Sequence, residues 1–271
     1  MKFKKYIPSF IKLNASRWWW FIKNYSTITK TTIFTDASIY HGPITYNTDG
    51  LCTSNNCDFI LEPRFARAYK TAADTKPWEG FTLQWRTYIV CWFADHVKPL
   101  AGDFVECGVN TGAYSRAVIE YIDFNRTGKK FYLLDTFEGL DEDLVSEEEK
   151  QLGIDKYLHS YRKRDYYAEV QKTFKDFKVK IIKGAVPGTL KECDVERICY
   201  LSIDMNCVEP EIAAAQFFWE KLVPGGVMIL DDYGFAPHIL QKRAFDIFAK
   251  EKNIEILNLP TGQGIVIKSW T

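Results

Sequence analysis

The sequence predicts an α/β fold: a Rossmann-like sheet of seven strands, mostly parallel with a C-terminal antiparallel hairpin, preceded by an N-terminal helical extension. From about residue 100, short β-branched or aromatic runs alternate with amphipathic stretches bounded by turn residues, which is typical of βαβ units. The last two runs are joined only by Leu259–Gln263, which is too short for a parallel crossover. A chain of 271 residues then favours one domain over residues 100–271, with residues 1–99 as an extension and helical cover.

The same alternation predicts the elements in chain order. Strands are predicted at Asp103–Val109, Lys130–Asp135, Val179–Lys183, Ile198–Asp204, Gly226–Leu230, Ile254–Asn258 and Gly264–Lys268. Helices are predicted at Arg64–Ala73, Phe81–Val97, Gly112–Tyr121, Asp165–Phe174, Glu209–Leu222 and Pro237–Lys250. The helices before residue 100 are expected to cover the sheet edge or the substrate side, and Ser38–Asp58 is expected to be loop.

A charged segment without a strand pattern, Glu138–Arg164, follows the second predicted strand. It contains two acidic triplets, Asp141–Asp143 and Glu147–Glu149. Long insertions beside the carboxyl edge of a sheet often act as lids over a ligand site, and a lid is our hypothesis for this segment. A solvated charged surface is the alternative interpretation.

Composition limits the class of protein and its location. Basic and acidic residues cancel, 35 against 35, which argues against a nucleic-acid partner. The seven cysteines are an odd and scattered set, which favours a reducing compartment over a disulfide scaffold. No apolar run has the form of a signal peptide or the length of a membrane span. A cytoplasmic location is therefore expected.

The first 30 residues form a basic and aromatic arm in which lysines and arginines surround Trp18–Trp20. One hypothesis places this arm on an anionic membrane surface, so that the protein is peripheral to the inner membrane. The other is that the arm packs on the core or on a partner subunit of a homo-oligomer. The residues alone leave both hypotheses open.

The first predicted strand leads into a glycine turn. Residues Phe104–Gly112 read FVECGVNTG, with Gly108 and Gly112 four positions apart at the carboxyl end of the strand. Glycines at such a turn let the backbone approach a ligand and leave helix-terminal N–H groups available for an anionic group. The pattern is neither the dinucleotide motif G-x-G-x-x-G nor a phosphate loop, so both of those interpretations lose support.

Asp135 ends the second predicted strand, 27 positions after Gly108. An acidic side chain at this place can accept hydrogen bonds from both hydroxyls of a ribose. Sites for NAD and for S-adenosylmethionine (SAM) share that requirement, and a strand-end cap is the simpler interpretation of a single aspartate. The residue therefore points to a nucleoside cofactor only together with the glycine turn.

Three aspartates end two strands that are expected to be neighbours. Asp204 ends the fourth predicted strand, and Asp231 and Asp232 end the fifth. Parallel neighbours deliver such residues to the same edge of the sheet, where three close carboxylates repel one another unless a cation neutralises them. Oxygen-only ligands suit Mg²⁺, with Mn²⁺ or Ca²⁺ as alternatives. Strand caps exposed to water are the other interpretation.

Four segments together resemble the macrocin O-methyltransferase (TylF/MycF-type) family of class I SAM-dependent methyltransferases. They are Glu106–Val109 with Gly112, Leu134–Leu140 (LDTFEGL), Ser202–Asp204 (SID) and Pro224–Tyr233 (PGGVMILDDY). The resemblance covers roughly residues 100 to 268, with the four motifs in the family's order. The first hundred residues match more loosely, through Trp85-Arg86.

The resemblance implies a set of site residues. The cofactor-binding residues would be Glu106, Gly108, Asn110, Gly112, Asp135, Ala185 and Asp204, around SAM. The metal ligands would be Asp204, Asp231 and Asp232, holding Mg²⁺ or Mn²⁺. The acceptor would be a sugar hydroxyl of a natural product, with the metal holding two neighbouring oxygens. Asp204 and Asp232 are accordingly candidate catalytic residues.

The chain also departs from the family pattern. After Asp204 the family tends to continue with glycine, an acid and an aromatic residue, whereas this chain has Met205–Cys207, and an aromatic-basic pair is replaced by Asn110-Thr111. The general base therefore stays open between His238, near a predicted helix start, and His159, in the predicted lid. A metal-bound hydroxyl also loses its proton with little help.

The leading functional hypothesis is a SAM-dependent, divalent-metal-assisted O-methyltransferase that acts on a hydroxyl of a sugar or related natural product. The first alternative is a class I methyltransferase that acts on another oxygen or nitrogen without a metal. The second is a SAM-binding partner protein without turnover. Acceptor pockets are built from lids and N-terminal helices that no motif fixes, so the acceptor's identity stays open.

Overall fold

The structure is a computed structural model that describes residues 44–77, 82–154 and 165–270. Its strands are β1 (Tyr46–Thr48), β2 (Leu51–Thr53), β3 (Asp103–Cys107), β4 (Phe131–Asp135), β5 (Val179–Lys183), β6 (Ile198–Ile203), β7 (Leu222–Leu230), β8 (Leu257–Asn258) and β9 (Gly264–Ile267). Its α-helices are α1 (Pro63–Ala73), α2 (Gln84–Val97), α3 (Ala113–Ile122), α4 (Glu147–Gln151), α5 (Tyr167–Phe174), α6 (Val208–Trp219) and α7 (Ile239–Lys252).

Seven of these strands form one sheet in the order β5-β4-β3-β6-β7-β9-β8. The pairs from β5 to β7 are parallel, and β9 pairs antiparallel with both β7 and β8. The predicted fold class, including the C-terminal antiparallel hairpin, is therefore confirmed. Because β3 to β7 run in one direction, their carboxyl ends meet at one edge, where ligands bind in open α/β sheets.

Alternation along β3 divides the core into two layers. Phe104 faces the layer that contains α1, α2 and α3, and it stacks on Tyr200 with ring centroids 4.9 Å apart. Val105 faces the opposite layer with Phe218 of α6 and Phe248 of α7. Side chains that alternate on a strand covered on both faces are apolar on each side, and the two clusters of buried residues show that helices cover both faces of the sheet.

The observed bounds differ from the predicted ones mainly near residue 222. The predicted helix Glu209–Leu222 ends at Trp219, and Leu222 instead begins β7, where it is buried and pairs with Ile198. The predicted strand Ile254–Asn258 is reduced to Leu257–Asn258, since only these residues pair with β9.

A two-stranded hairpin stands where loop was expected. In β1–β2, Thr48 pairs with Leu51 across the two-residue turn Asp49-Gly50. Both turn residues have positive φ, 53° and 70°, as a type I′ turn requires, and Asp-Gly is a preferred sequence for it. Strands of three residues are too short to show a hydrophobic alternation, which is why the sequence pattern missed them.

Several predictions fall on residues outside the described ranges. They concern the arm over residues 1–30, residues 155–164 of the predicted lid, and His159 within that lid. Contact of the arm with a membrane, self-association through the arm, and a role of His159 as general base therefore stay predictions. The domain boundary at residue 99 stays a prediction as well. In the part of the chain that the structure describes, no helix has the length and apolar composition needed to cross a bilayer.

Candidate active site at the carboxyl edge of the sheet

A cavity opens at the carboxyl edge, and it brings together most of the predicted cofactor, metal and catalytic residues. Its lining includes Glu106, Gly108, Asn110, Asp135, Ala185, Asp204, Asp231, Asp232 and His238. Gly112 does not line this cavity. A Cβ at Gly112 would lie 2.5 Å from the ring of Phe174, so close packing of the start of α3 on α5 explains that glycine.

Gly108 brings the end of β3 against the end of β6. Its φ is +88°, and a Cβ there would lie 1.7 Å from the carbonyl oxygen of Asp204. No side chain fits between the two strand ends, so glycine is required on both conformational and steric grounds. This approach places the glycine turn and Asp204 side by side at the cavity.

Asp135 fixes the turn after β3 with its carboxylate. Oδ2 accepts hydrogen bonds from the N–H groups of Val109 at 2.5 Å and Asn110 at 2.8 Å, and Oδ1 accepts from that of Phe137 at 2.5 Å. Asn110 has a φ of 51°, in the left-handed region that asparagine tolerates better than most residues. Each carboxylate oxygen has two lone pairs, so Oδ2 is fully used. The Thr136 hydroxyl lies 3.3 Å from Oδ1, but its one hydrogen is directed to the closer Gly139 carbonyl at 2.5 Å, so Oδ1 keeps one site for a ligand hydroxyl.

Glu106 is a buried acid without a cationic partner among the described residues. Its side chain accepts a hydrogen bond from the Ser115 hydroxyl, and the residue is 3% exposed. Burial raises the pKa of Glu106 to about 8, although the Ser115 hydrogen bond opposes that shift. A buried carboxyl of this kind is largely protonated at neutral pH, and a ligand ammonium group beside it would favour the charged form.

Arg86, on α2, holds the acidic side of the cavity together. Its guanidinium is almost fully buried, and Nη1 donates to Oδ2 of Asp231 at 2.7 Å and to Oδ1 of Asp232 at 3.0 Å. Nε donates to Oδ2 of Asp49 at 2.8 Å. Gln263 adds a hydrogen bond to Oδ1 of Asp231 at 3.0 Å. One cation therefore pairs with three carboxylates that come from two distant parts of the chain.

The carboxylates still outnumber the positive charge. Burial, followed by the charges of Asp231 and Asp232, raises the pKa of Asp204 well above its ordinary value. Burial also raises the pKa of Asp231, although Arg86 opposes that shift. Within residues 44–77, 82–154 and 165–270, no set of three or more His, Cys, Asp or Glu side chains is arranged to hold a metal ion. The oxygen donors share one edge of the sheet without converging on a point.

His238 belongs to a chain of buried polar contacts. Its Nδ1 contacts Oε1 of Gln241 and lies 3.9 Å from Oδ2 of Asp232. Nε2 of Gln241 donates to Oε1 of Glu211 at 2.8 Å, and that oxygen also accepts from the N–H groups of the two residues after Asp204. The chain thus connects His238 to the turn that carries Asp204.

The described part of the predicted lid packs against the start of α6. Glu149 is 2% exposed, forms a capping box with Ser146, and accepts a hydrogen bond from the Val208 N–H at 2.8 Å. The Cys207 thiol donates to the Leu144 carbonyl at 3.0 Å, and Leu144 lines the cavity. This anchoring places the acidic segment at the rim of the cavity, and opening of a lid there stays a prediction.

Two charged residues of the cavity, Arg86 and Asp49, are not among the predicted site residues. Arg86 belongs only to the looser family resemblance of the first hundred residues, and Asp49 lies in a segment that is expected to be loop. The Asp49-Gly50 dipeptide was a usable signal for a hairpin, but no local pattern shows that its tip reaches an arginine 37 residues later. Arg86 therefore supplies at least part of the positive charge that the aspartates need.

Solved structures with a similar fold include several methyltransferases. The O-methyltransferase NovP is 19% identical with a TM-score of 0.59, over 68% of this chain and 79% of that chain. CalS11, a calicheamicin methyltransferase, is 13% identical with a TM-score of 0.52, over 79% and 94%. An O-methyltransferase from Bacillus cereus in complex with SAH is 12% identical with a TM-score of 0.50, over 78% and 96%. At sequence identities this low, the structural similarity shows a shared fold and nothing more specific.

Sequence comparison gives the family. No curated protein matches the chain. A sequence model of the macrocin O-methyltransferase (TylF) family matches residues 90–258, which is more than half of the chain and includes all four motifs and the strand ends that line the cavity. The chain therefore belongs to the macrocin O-methyltransferase (TylF) family of SAM-dependent O-methyltransferases, as the four motifs predicted.

Proposed function

We propose that this enzyme transfers the methyl group of SAM to a hydroxyl of a sugar or a related natural-product acceptor, with assistance from Mg²⁺ or Mn²⁺. The observation that carries the proposal is a cavity in which the glycine turn and Asp135 lie beside Asp204, Asp231 and Asp232. A methyl donor and an acceptor oxygen have to meet in such a space, because most of the catalysis would be positioning of oxygen, methyl carbon and sulfur in line.

The residues of the first three strand ends fit SAM. Gly108 leaves room for a ligand against backbone, Asp135 fixes the turn and retains acceptor capacity, and Glu106 is a buried acid suited to an ammonium group. Asn110 and Ala185 complete this side of the cavity. SAM supplies the methyl group when bound, and these residues would hold its ribose and methionine parts.

The acidic side fits a divalent cation in its donor chemistry. Asp204, Asp231 and Asp232 offer only oxygen atoms, which Mg²⁺ and Mn²⁺ prefer. Arg86 engages one oxygen of Asp231 and one of Asp232, while the hydrogen bond that Asp204 accepts comes from the Asn206 amide at 3.1 Å. A bound cation would hold the acceptor oxygen and lower the pKa of its hydroxyl.

His238 is our candidate for the proton acceptor. If its Nδ1–H donates to the Gln241 oxygen, as the contact indicates, Nε2 carries the lone pair that can take a proton. Asp232 lies next to the ring on the Nδ1 side and would stabilise a protonated imidazole. Asp204 and Asp232 would thus orient the acceptor, and His238 would take its proton.

Family and neighbours favour a sugar-bearing acceptor. The family description names macrocin, and CalS11 is a calicheamicin methyltransferase. The resemblance in sequence implies methylation of sugar hydroxyls in natural products. We therefore favour glycosyl hydroxyls over amines and over isolated phenols as the acceptor class.

The test is a methyl-transfer assay with labelled SAM and a panel of methyl glycosides and nucleotide-linked sugars. We expect at least one glycoside to be methylated, chelator to abolish transfer, and Mg²⁺ or Mn²⁺ to restore it. Asp204→Asn should lower turnover by about 100-fold while SAH affinity by calorimetry changes little. The matched control is Asp194→Asn, which removes the same charge from an exposed ion pair with Lys180.

The outcomes separate the alternatives. Methylation that survives exhaustive chelation would refute the metal-assisted mechanism and favour a metal-independent methyltransferase on another oxygen or nitrogen. Tight SAH binding without transfer to any acceptor would favour a SAM-binding partner protein without turnover. Equal turnover by the Asp204→Asn and Asp194→Asn variants would mean that the aspartates have a structural role and not a catalytic one.

A further inference from the structure

The β1–β2 hairpin carries a carboxylate into the cavity from outside the main sheet. The hairpin pairs only within itself, and Asp49 is the first of the two central residues of its type I′ turn. Asp49 lines the same cavity as Asp204 and Asp232. The cavity therefore has a wall that does not belong to the methyltransferase sheet.

The tip of this hairpin is held in place by specific contacts. Arg86 Nε donates to Oδ2 of Asp49 at 2.8 Å, and the Thr48 hydroxyl donates to the Thr82 carbonyl at 3.2 Å. Tyr46, at the other end of β1, is buried. Because Arg86 also pairs with Asp231 and Asp232, one guanidinium fixes Asp49 beside the aspartates at the end of β7.

Arg86 does not need this third carboxylate. Asp231 and Asp232 already give it two ion pairs, and Asp49 adds a further like charge nearby, which is unfavourable. The side chain of Asp49 is only 15% exposed. Arg86 contacts its Oδ2, and no donor among the described residues contacts its Oδ1. A carboxylate only accepts hydrogen bonds, so Oδ1 is open to water in the cavity and to a donor on a ligand that displaces that water.

We propose that Asp49 is a specificity-determining residue that accepts a hydrogen bond from a second hydroxyl of the acceptor, one that is not methylated. The inference rests on the proposed function and narrows it: the acceptor carries at least two hydroxyls within reach of one cavity. The strand-end aspartates then act at the reacting oxygen, and the hairpin recognises the hydroxyl pattern around it.

The experiment compares the full-length wild type with Asp49→Asn, Asp49→Ala and a control, Asp58→Asn, whose exposed side chain lies just beyond the hairpin. The probes are the methyl glycoside that the wild type methylates best and each of its monodeoxy derivatives, with SAM and Mg²⁺. Asn keeps the size of Asp49 and an oxygen for Arg86, so this variant tests the charge with the hairpin contact retained. SAH affinity is measured for every variant by calorimetry.

We expect Asp49→Ala to lower kcat/KM by about 10- to 100-fold, the scale for losing a hydrogen bond to a charged group. Asp49→Asn should show a smaller loss, and in both variants KM should change more than kcat. One monodeoxy derivative should be a comparably poor substrate for the wild type, and Asp49→Ala should no longer discriminate against it. The Asp58→Asn control should behave as the wild type, and SAH affinity should be unchanged throughout.

Three results would overturn the inference. If both Asp49 variants have the same KM as the wild type, the carboxylate does not contact the acceptor. Weakened SAH binding, or an Asp49→Ala loss that leaves discrimination among the deoxy derivatives intact, would show a structural role. A wild type that methylates no glycoside would refute the proposed function and the inference with it, and the wild-type reaction alone reports that outcome.

Discussion

The two sides of the cavity are built by different physical means. One side, which contains the glycine turn, Asp135 and Glu106 and which we propose binds SAM, is called the cofactor side. Backbone geometry dominates there, because Gly108 and the three N–H groups that donate to Asp135 set the shape of the turn. On the acidic side, side-chain charges dominate, and Arg86 is paired with carboxylates of Asp49, Asp231 and Asp232. The first side depends on steric fit and the second on charge compensation, so substitutions on the two sides should fail for different reasons.

The largest effect is expected from Arg86→Met. Removing one partner of a buried ion pair leaves an uncompensated charge, which typically costs about 3–5 kcal/mol of unfolding free energy. Here three carboxylates lose their cation, so we expect a loss at the upper end of that range at pH 7.5. Urea unfolding followed by circular dichroism measures it.

The control is Arg126→Met, which breaks an ion pair with Asp123 whose side chains are 87% and 63% exposed. Exposed pairs contribute about 0–1 kcal/mol. The loss in Arg86→Met should also shrink between pH 7.5 and pH 5. Burial raises the pKa of Asp49 to about 6 and also raises the pKa of Asp231, so protonation of these two carboxyls removes part of the repulsion. Similar losses in the two variants at every pH would mean that charge compensation does not hold the acidic side together.

A smaller effect, of a different kind, is expected from Gly108→Ala. Its added Cβ would lie 1.7 Å from the Asp204 carbonyl oxygen, so the ends of β3 and β6 must move apart. The matched control is Gly128→Ala, where φ is also positive, +73°, and nothing lies within 4 Å of the added Cβ. Both variants lose the left-handed preference of glycine, about 1–2 kcal/mol.

Only Gly108→Ala adds overpacking, which costs about 1–3 kcal/mol more. Its loss should not depend on pH, in contrast to that of Arg86→Met, and SAH affinity should fall because the glycine turn shifts. Thermal unfolding and calorimetry measure the two quantities. If Gly108→Ala is as stable as Gly128→Ala, steric fit is not what shapes the cofactor side.

The same contrast explains what the sequence could predict. Gly108, Asp135, Asp204, Asp231 and Asp232 each follow or end a strand, and the parallel pattern fixes where strands end. Their common location at one edge could therefore be inferred from the order of short apolar runs alone. The seven-stranded sheet with its C-terminal hairpin was predictable for the same reason.

Arg86 and Asp49 could not be placed in this way. Arg86 reaches Asp231 across 145 positions of the chain, and its own helix shows an ordinary mixture of apolar and polar residues. The hairpin around Asp49 is too short to show a period. Cys207 stands where the sequence departs from the family pattern, and its thiol packs against the acidic segment without lining the cavity. Contacts between distant parts of the chain determine where Arg86, Asp49 and Cys207 lie, and a local sequence pattern does not show such contacts.

The smallest effect is expected from Glu106, the acid on the cofactor side that has a hydroxyl instead of a cation as its partner. Burial raises the pKa of Glu106 from its ordinary value of 4.5 to about 8. Between these pH values the folded protein binds more protons at this site than the unfolded chain, so the stability contributed by the protonated carboxyl is fully present below pH 4.5 and is lost as pH rises through 8.

The ligand-free enzyme should therefore lose thermal stability between pH 6 and pH 9. The Glu106→Gln variant, which keeps a neutral amide in place, should lose less, and the exposed Glu192→Gln control should follow the wild type. Parallel unfolding temperatures for all three proteins across this range would mean that Glu106 is charged in the ligand-free enzyme, and the cofactor side would then rely on charge compensation as the acidic side does.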